Sequence, residues 1–442
     1  MRFRAADVAH ALNASLVGQH PEHLDVIVDG VSYDSRTLRQ GQMFVAIRGD
    51  RDGHEFVIDA AAQGASVALV DHRVEVDIPQ LVVTDTVSAL GTLAGHARRH
   101  LLTSLDDRVV GITGSVGKTS MKDFVEAALA AHFPVVAAST KSLNNDIGAP
   151  VTILNAPDDA DVLVLEMGMR GFGEIARLCA LAEPTVGVIT RIGHAHTERV
   201  GGIDGVIQAK SELFEGLPVT GVAIVNRDDP YADVLARHAP CDIRTFGFDE
   251  RAEVHGHVVD VDETGCTTMT VFWCGMTGDV RVPVPGGHMA SNALGAVAAA
   301  VSLGVPFHSA LRGVATARVS PDRMQWQGSA SGARILNDAY NANPTSMEAA
   351  LRTLADVPAA RRVAVLGLMA ELDDATAHHV HIASVAASLG VELLSVDTTQ
   401  YGVPARTIDE VVALLTGLGD DCVILVKGSR VAGLERLVRQ LT

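Results

Sequence analysis

Apolar runs alternate with amphipathic stretches along most of this chain, and the period of each run decides which element it predicts. Over the first 105 or so residues, short strand-like runs such as Met43-Phe-Val-Ala-Ile mix with an Ala-rich helical stretch at 58–65, which predicts a small α/β domain. From Arg108 onward an apolar run meets a glycine-rich turn and then an amphipathic helix over 119–132. Strands are expected at 161–166, 185–191 and 222–226, and their alternation with helices predicts a mainly parallel sheet covered on both faces.

Between 252 and 285 the helical period disappears and strands with turns take over, as in Val271-Phe-Trp-Cys-Gly. This reads as an antiparallel appendage to the central domain. A helix near 292–303 then leads into strands at 334–337, 362–366, 391–396 and 422–426, the pattern of a Rossmann-like domain. The expected fold class is α/β in three domains, 1–105, 106–316 and 317–442. The 442-residue length agrees, since single cores stop growing at about 250–300 residues.

Charge and cysteine content narrow the function. A formal net charge of −18 opposes general nucleic-acid binding but leaves room for a small anionic substrate in a local positive pocket. The five cysteines are scattered and form no Cys-x-x-Cys pair, so they read as core thiols of a reducing cytosol. No apolar run reaches the roughly 18 residues of a membrane span, and the N-terminus has no signal-like apolar region. A cytoplasmic location without membrane insertion is expected.

The sharpest chemical signal is Gly111-Ile-Thr-Gly114-Ser115-Val-Gly117-Lys118-Thr119-Ser120, between an apolar strand and a helix. Glycines there let backbone N–H groups turn toward phosphate oxygens at a helix N-terminus, Lys118 adds a point charge, and the Thr119 hydroxyl can face Mg²⁺. ATP is the expected ligand. The loop is a shortened variant, because Ile112 stands where the longer glycine pattern needs glycine. Glu166 and His196, after later strands, are candidate metal ligands, although a lone buried Glu or His is more often structural. On spacing alone Lys210 reads as a solvated helix face.

These motifs occur in the order found in Mur ligases, and the chain resembles that family over essentially its whole length. Asp34-Ser35-Arg36 and residues 41–56 resemble a UDP-substrate domain, with Ser35 and Arg36 as implied UDP contacts. Asn144-Asn145-Asp146 resembles a segment near the muramoyl-peptide. The resemblance implies nucleotide contacts by Gly114, Ser115, Gly117, Lys118, Thr119, Ser120, Asn292, Arg323 and Asp338. It also implies two Mg²⁺ ions on Thr119, Glu166, His196 and Lys210, the lysine as a carbamate, and catalytic roles for Lys118, His196 and Lys210. The run Asn337-Asp338-Ala-Tyr340-Asn341-Ala-Asn343-Pro344, with Lys427-Gly-Ser429-Arg430, resembles the members that add D-alanyl-D-alanine. Tyr340, Asn341, Asn343, Lys427, Ser429 and Arg430 are then implied substrate contacts, and Arg430 suits a peptide carboxylate.

The implied reaction is ATP-dependent addition of D-alanyl-D-alanine to a UDP-muramoyl-tripeptide through an acyl phosphate, by a monomer whose partners are small molecules. Arg191, Val116, Met289 and Leu368 depart from the family pattern. They leave open a different amine acceptor, or a nucleotide-binding paralogue without turnover.

Overall fold

The β-branched runs of the middle segment line up as one nine-stranded sheet in the computed structural model, which describes residues 1–18, 25–140, 143–195 and 197–442. Val136–Ala138, Val162–Glu166, Val109–Thr113, Val186–Ile189, Val222–Asn226 and Asp242–Gly247 run parallel in that spatial order. Most of their side chains are buried, as expected of strands covered on both faces. The loops leaving their carboxyl ends therefore meet along one edge, the place where ligands gather in such sheets.

The antiparallel strands Val254–Val261, Cys266–Trp273 and Met276–Pro285 extend this same sheet rather than hanging from it. Val254 pairs in parallel with Phe246, and the hairpins follow from there. Helices Lys118–Ala130, Gly287–Ser302 and Phe307–Ala315 cover one face of the sheet, and helices Thr86–His100, Glu174–Ala182 and Ile203–Glu215 cover the other. Helix Gly287–Ser302 starts five residues before the expected position 292. Gly286 (φ 108°) supplies the turn that a side chain would oppose, so the glycines belong to the helix start rather than to a preceding loop.

The C-terminal domain has a six-stranded sheet. Arg334–Asp338, Cys422–Lys427, Arg361–Leu366, Glu392–Val396 and Ala405–Arg406 are parallel, and Gln325–Gly328 pairs antiparallel at one edge. The edge strand was not expected, because Gln325-Trp-Gln-Gly carries little apolar periodicity. The N-terminal domain has a five-stranded sheet, including Met43–Val45 and Val67–Val70, and it is fixed to the central domain by Asn155. Asn155 Oδ1 accepts from the Val31 N–H at 3.0 Å, and its Nδ2 donates to the Val31 carbonyl at 2.9 Å. No described helix is long and apolar enough to cross a membrane.

Candidate active site

Strand Val109–Thr113 ends in the glycine-rich loop, and helix Lys118–Ala130 begins at Lys118. Gly114 (φ 151°) passes so close to strand 186–189 that a Cβ there would lie 1.9 Å from Thr190 Oγ1. Gly117 (φ 81°) sits against the Asn292 amide, 3.0 Å from where its Cβ would be. Gly114 is thus required by close approach as well as by backbone angle, and Gly117 by its backbone angle. Thr190 Oγ1 donates to the Val116 carbonyl at 2.5 Å and fixes the loop's far side.

At the helix start, Thr119 Oγ1 donates to Glu166 Oε2 at 2.6 Å, and Asn144 Nδ2 donates to Glu166 Oε1 at 2.7 Å. Glu166 ends the neighbouring strand and is buried. Two amines face this carboxylate. Lys118 Nζ donates to the Gly114 carbonyl at 2.8 Å, and burial, followed by Arg323, lowers its pKa against the pull of Glu166. Lys210, on helix Ile203–Glu215, is 1% exposed, which removes the solvated-face reading of that lysine. Burial first and the Lys118 charge second push its amine well below the usual lysine range, against Glu166.

The C-terminal domain reaches into the same place. Arg323 lies between two residues in the left-handed region, Asp322 (φ 60°) and Met324 (φ 49°), and this tight turn aims its guanidinium at the phosphate loop. Arg323 Nη2 donates to Thr119 Oγ1 at 2.9 Å, and the guanidinium carbon sits 4.0 Å from the Tyr340 ring centre. Asn343 Nδ2 reaches the Ser115 carbonyl at 3.3 Å while its Oδ1 caps helix Pro344–Asp356. Lys427 Nζ pairs with Asp338 Oδ2 at 2.5 Å and donates to the Asn341 carbonyl at 2.9 Å.

These groups line one cleft of about 860 Å³. It gathers Ser115, Gly117, Lys118, Thr119, Ser120, Asn144, Asn145, Glu166, Lys210, Asn292, Arg323, Asp338, Tyr340, Asn341, Asn343 and Lys427, residues far apart in the chain. Other expected site residues lie elsewhere. Gly114 forms the buried back of the loop. Arg36 is exposed on the N-terminal domain and bonds to Asp34, with Ser35 beside it. Ser429 is buried, accepting from the Ala370 N–H and donating to the Ala342 carbonyl. Arg430 is exposed, 5.6 Å from the centre of the Tyr340 ring. His196 falls outside the described residues.

Thr190 and Asn226 also line the cleft and belong to no motif singled out above. Asn226 Nδ2 donates to the Thr190 carbonyl at 2.8 Å, so these residues shape the loop from behind. Their signal in the sequence is slight, a polar residue closing an apolar run.

The site holds hard oxygen donors, a phosphate-loop lysine and a second amine driven toward neutrality, around a space large enough for a nucleotide and the end of a second substrate. Family models match three stretches: "Mur ligase family, catalytic domain" at 27–103, "Mur ligase middle domain" at 112–300, and "Mur ligase, glutamate ligase domain" at 322–440. The UDP-N-acetylmuramoyl-tripeptide--D-alanyl-D-alanine ligase of Escherichia coli (strain K12) is 36% identical over 97% of this chain and 96% of its own length. A crystal structure of MurF from Acinetobacter baumannii superposes with a TM-score of 0.88 at 28% identity, covering 100% of this chain and 99% of that one. MurF ligase from Thermotoga maritima in complex with ADP superposes with a TM-score of 0.79 at 25% identity, covering 94% and 97%.

Proposed function

The chain belongs to the Mur ligase family, and we propose that it joins D-alanyl-D-alanine to UDP-N-acetylmuramoyl-tripeptide, forming the pentapeptide precursor of peptidoglycan at the expense of ATP. The similarity to the E. coli ligase of that activity, along nearly the full length of both chains, carries the reading. The domains are taken as 1–105 for UDP-substrate binding, 106–316 for ATP, and 317–442 for the incoming dipeptide.

A carboxylate has no leaving group, so amide formation requires one. In this reading the γ-phosphoryl group of ATP passes to the tripeptide's terminal carboxylate, giving an acyl phosphate and ADP. The free amine of D-alanyl-D-alanine then attacks the carbonyl carbon, the C–O bond to phosphate breaks, and the amine loses a proton. The backbone N–H groups of 116–119 and the Lys118 ammonium stabilise charge on the phosphoryl oxygens. Arg323, held by Tyr340 and Thr119, brings a second positive charge to the same oxygens.

The Thr119 hydroxyl and the Glu166 carboxylate are the donor chemistry Mg²⁺ prefers, and their 2.6 Å contact puts both at one point. Thr119 and Glu166, with His196 as a further proposed ligand, would hold Mg²⁺ there, and the ion would supply positive charge against the phosphates. Lys210 as an ammonium would repel a cation, and as a neutral amine it offers no oxygen donor. Its burial favours the neutral amine, which is the form that adds CO₂, releasing a proton and leaving a carbamate with oxygens for a second ion.

Arg191 lines the cleft with an exposed side chain and supports a second reading, a Mur-type ligase with another amine acceptor. One assay separates the two: phosphate release from Mg²⁺-ATP with UDP-muramoyl-tripeptide, with and without D-alanyl-D-alanine, and product masses. Release that requires both substrates and yields the UDP-pentapeptide supports the first. Release with the tripeptide and a different amine supports the second, and no release with any amine overturns both.

A further inference from the structure

The central and C-terminal domains meet at a second place, outside the cleft. The segment after strand Val186–Ile189 carries His194 and Thr197, and the loop before helix Ala375–Ser388 carries Glu371 and Asp373, with His378 in the helix itself. Thr197 Oγ1 donates to Asp373 Oδ1 at 2.9 Å, and Arg199 lies 3.6 Å from Glu371. The His194 and His378 rings approach to 4.8 Å between centres, and His378 Nε2 is 3.6 Å from Asp373 Oδ1.

We propose that His194, Asp373 and His378 form a binding site for a divalent transition-metal ion, zinc by chemistry, that clasps the two domains together. Their three donor atoms lie within 4.8 Å of one another. A tetrahedral ion with bonds near 2.1 Å holds its ligand atoms roughly 3.4 Å apart, so small side-chain rotations close the set. Two imidazoles and a carboxylate select zinc-like ions over Mg²⁺, which prefers oxygen. His194 Nδ1 is buried and has no hydrogen-bond partner among the described residues, an omission that coordination or a reoriented ring answers. The exposed Asp373 leaves a route in from solvent.

The other His/Asp cluster among the described residues, His54, Asp71 and His72, lacks this capacity. His54 Nδ1 is bonded to Asp52 at 2.6 Å and Nε2 accepts the Asp71 N–H at 3.0 Å, so both ring nitrogens are engaged. None of the clasp residues lines the cleft. One ligand comes from the central domain and two from the C-terminal domain, so the ion binds only when the domains are together. It holds that arrangement and slows any step in which they part.

The test titrates ZnCl₂ into the full-length protein by calorimetry, and CoCl₂ by visible absorption, in excess Mg²⁺ and a Cys274→Ser background that removes the exposed thiol. The expected result is a zinc site that His378→Ala weakens by about tenfold or more, since loss of a ligand costs at least what loss of its supporting partner does. Glu166→Ala should leave that site intact, which separates it from the Mg²⁺ position. Asp373→Asn provides the same readout if His378→Ala does not fold. Equal zinc affinity and stoichiometry in the parent and in the folded clasp variants would overturn the proposal. Binding is read without turnover, so failure of the ligase assignment leaves this test standing.

Discussion

Asp338 and Lys427 are direct neighbours on adjacent parallel strands, and the Lys427 ammonium lies 2.5 Å from Asp338 Oδ2. Lys427 is 2% exposed. Removing one partner leaves the other charge with little solvent. Lys427→Met or Asp338→Asn should each destabilise the protein by about 3 kcal/mol, whereas the double variant should cost less than the sum. Urea denaturation of the four proteins checks this, and additive effects would mean that the pair is not coupled.

Gly114→Ala would place a methyl group 1.9 Å from Thr190 Oγ1. The loop must shift, and the phosphate-facing N–H groups shift with it. ADP affinity should fall by on the order of tenfold or more, about 1.4 kcal/mol or above. Adding Thr190→Ala should recover part of the loss by removing the clashing oxygen. Calorimetric ADP titrations decide it, and wild-type affinity in Gly114→Ala would show that the loop accommodates a side chain.

His288 lines the cleft opposite Asp338 and Lys427, and burial, against the pull of Asp338, lowers its pKa to about 4. An unfolded histidine titrates near 6.5, so between those values the unfolded chain binds a proton that the folded one refuses. Stability from this group is complete above about pH 6.5 and is lost as the pH falls toward 4. Thermal melts of His288→Asn against the parent should show a shallower loss over this window, and parallel curves would refute the assignment.

Burial raises the Cys179 thiol to about 12, whereas Cys274 is exposed at a turn with φ 49°. A disulfide reagent should therefore titrate Cys274 first and Cys179 only on unfolding. Cys274→Ser should abolish the fast phase.

The carbamate proposed on Lys210 would make activity depend on dissolved CO₂. Turnover should fall in degassed, bicarbonate-free buffer and return when bicarbonate is added. Labelled ¹³CO₂ should give a carbamate carbon signal that is absent from Lys210→Arg. The same signal in both proteins would assign it elsewhere.

Local pattern was enough for the elements whose side chains are uniformly apolar. Strand Val222–Asn226 occupies the residues read for it, and the phosphate loop with its helix is legible because glycines, lysine and threonine must be adjacent to work. Family resemblance, carried by contiguous motifs, pointed to Glu166, Lys210 and Arg323 by position. Tertiary structure alone decided what those residues experience. Lys210 looks like solvated surface in a helical pattern and is buried because sheet and helices close over it. Thr190 matters through a contact with Gly114, and the edge strand Gln325–Gly328 exists because Arg334–Asp338 offers unpaired backbone to a polar segment. The clasp of His194, Asp373 and His378 joins positions nearly two hundred residues apart along the chain. Hydrophobic period and turn chemistry act over a few residues and can be read in order, whereas burial, electrostatic neighbours and domain seams depend on which surfaces meet when the chain closes on itself.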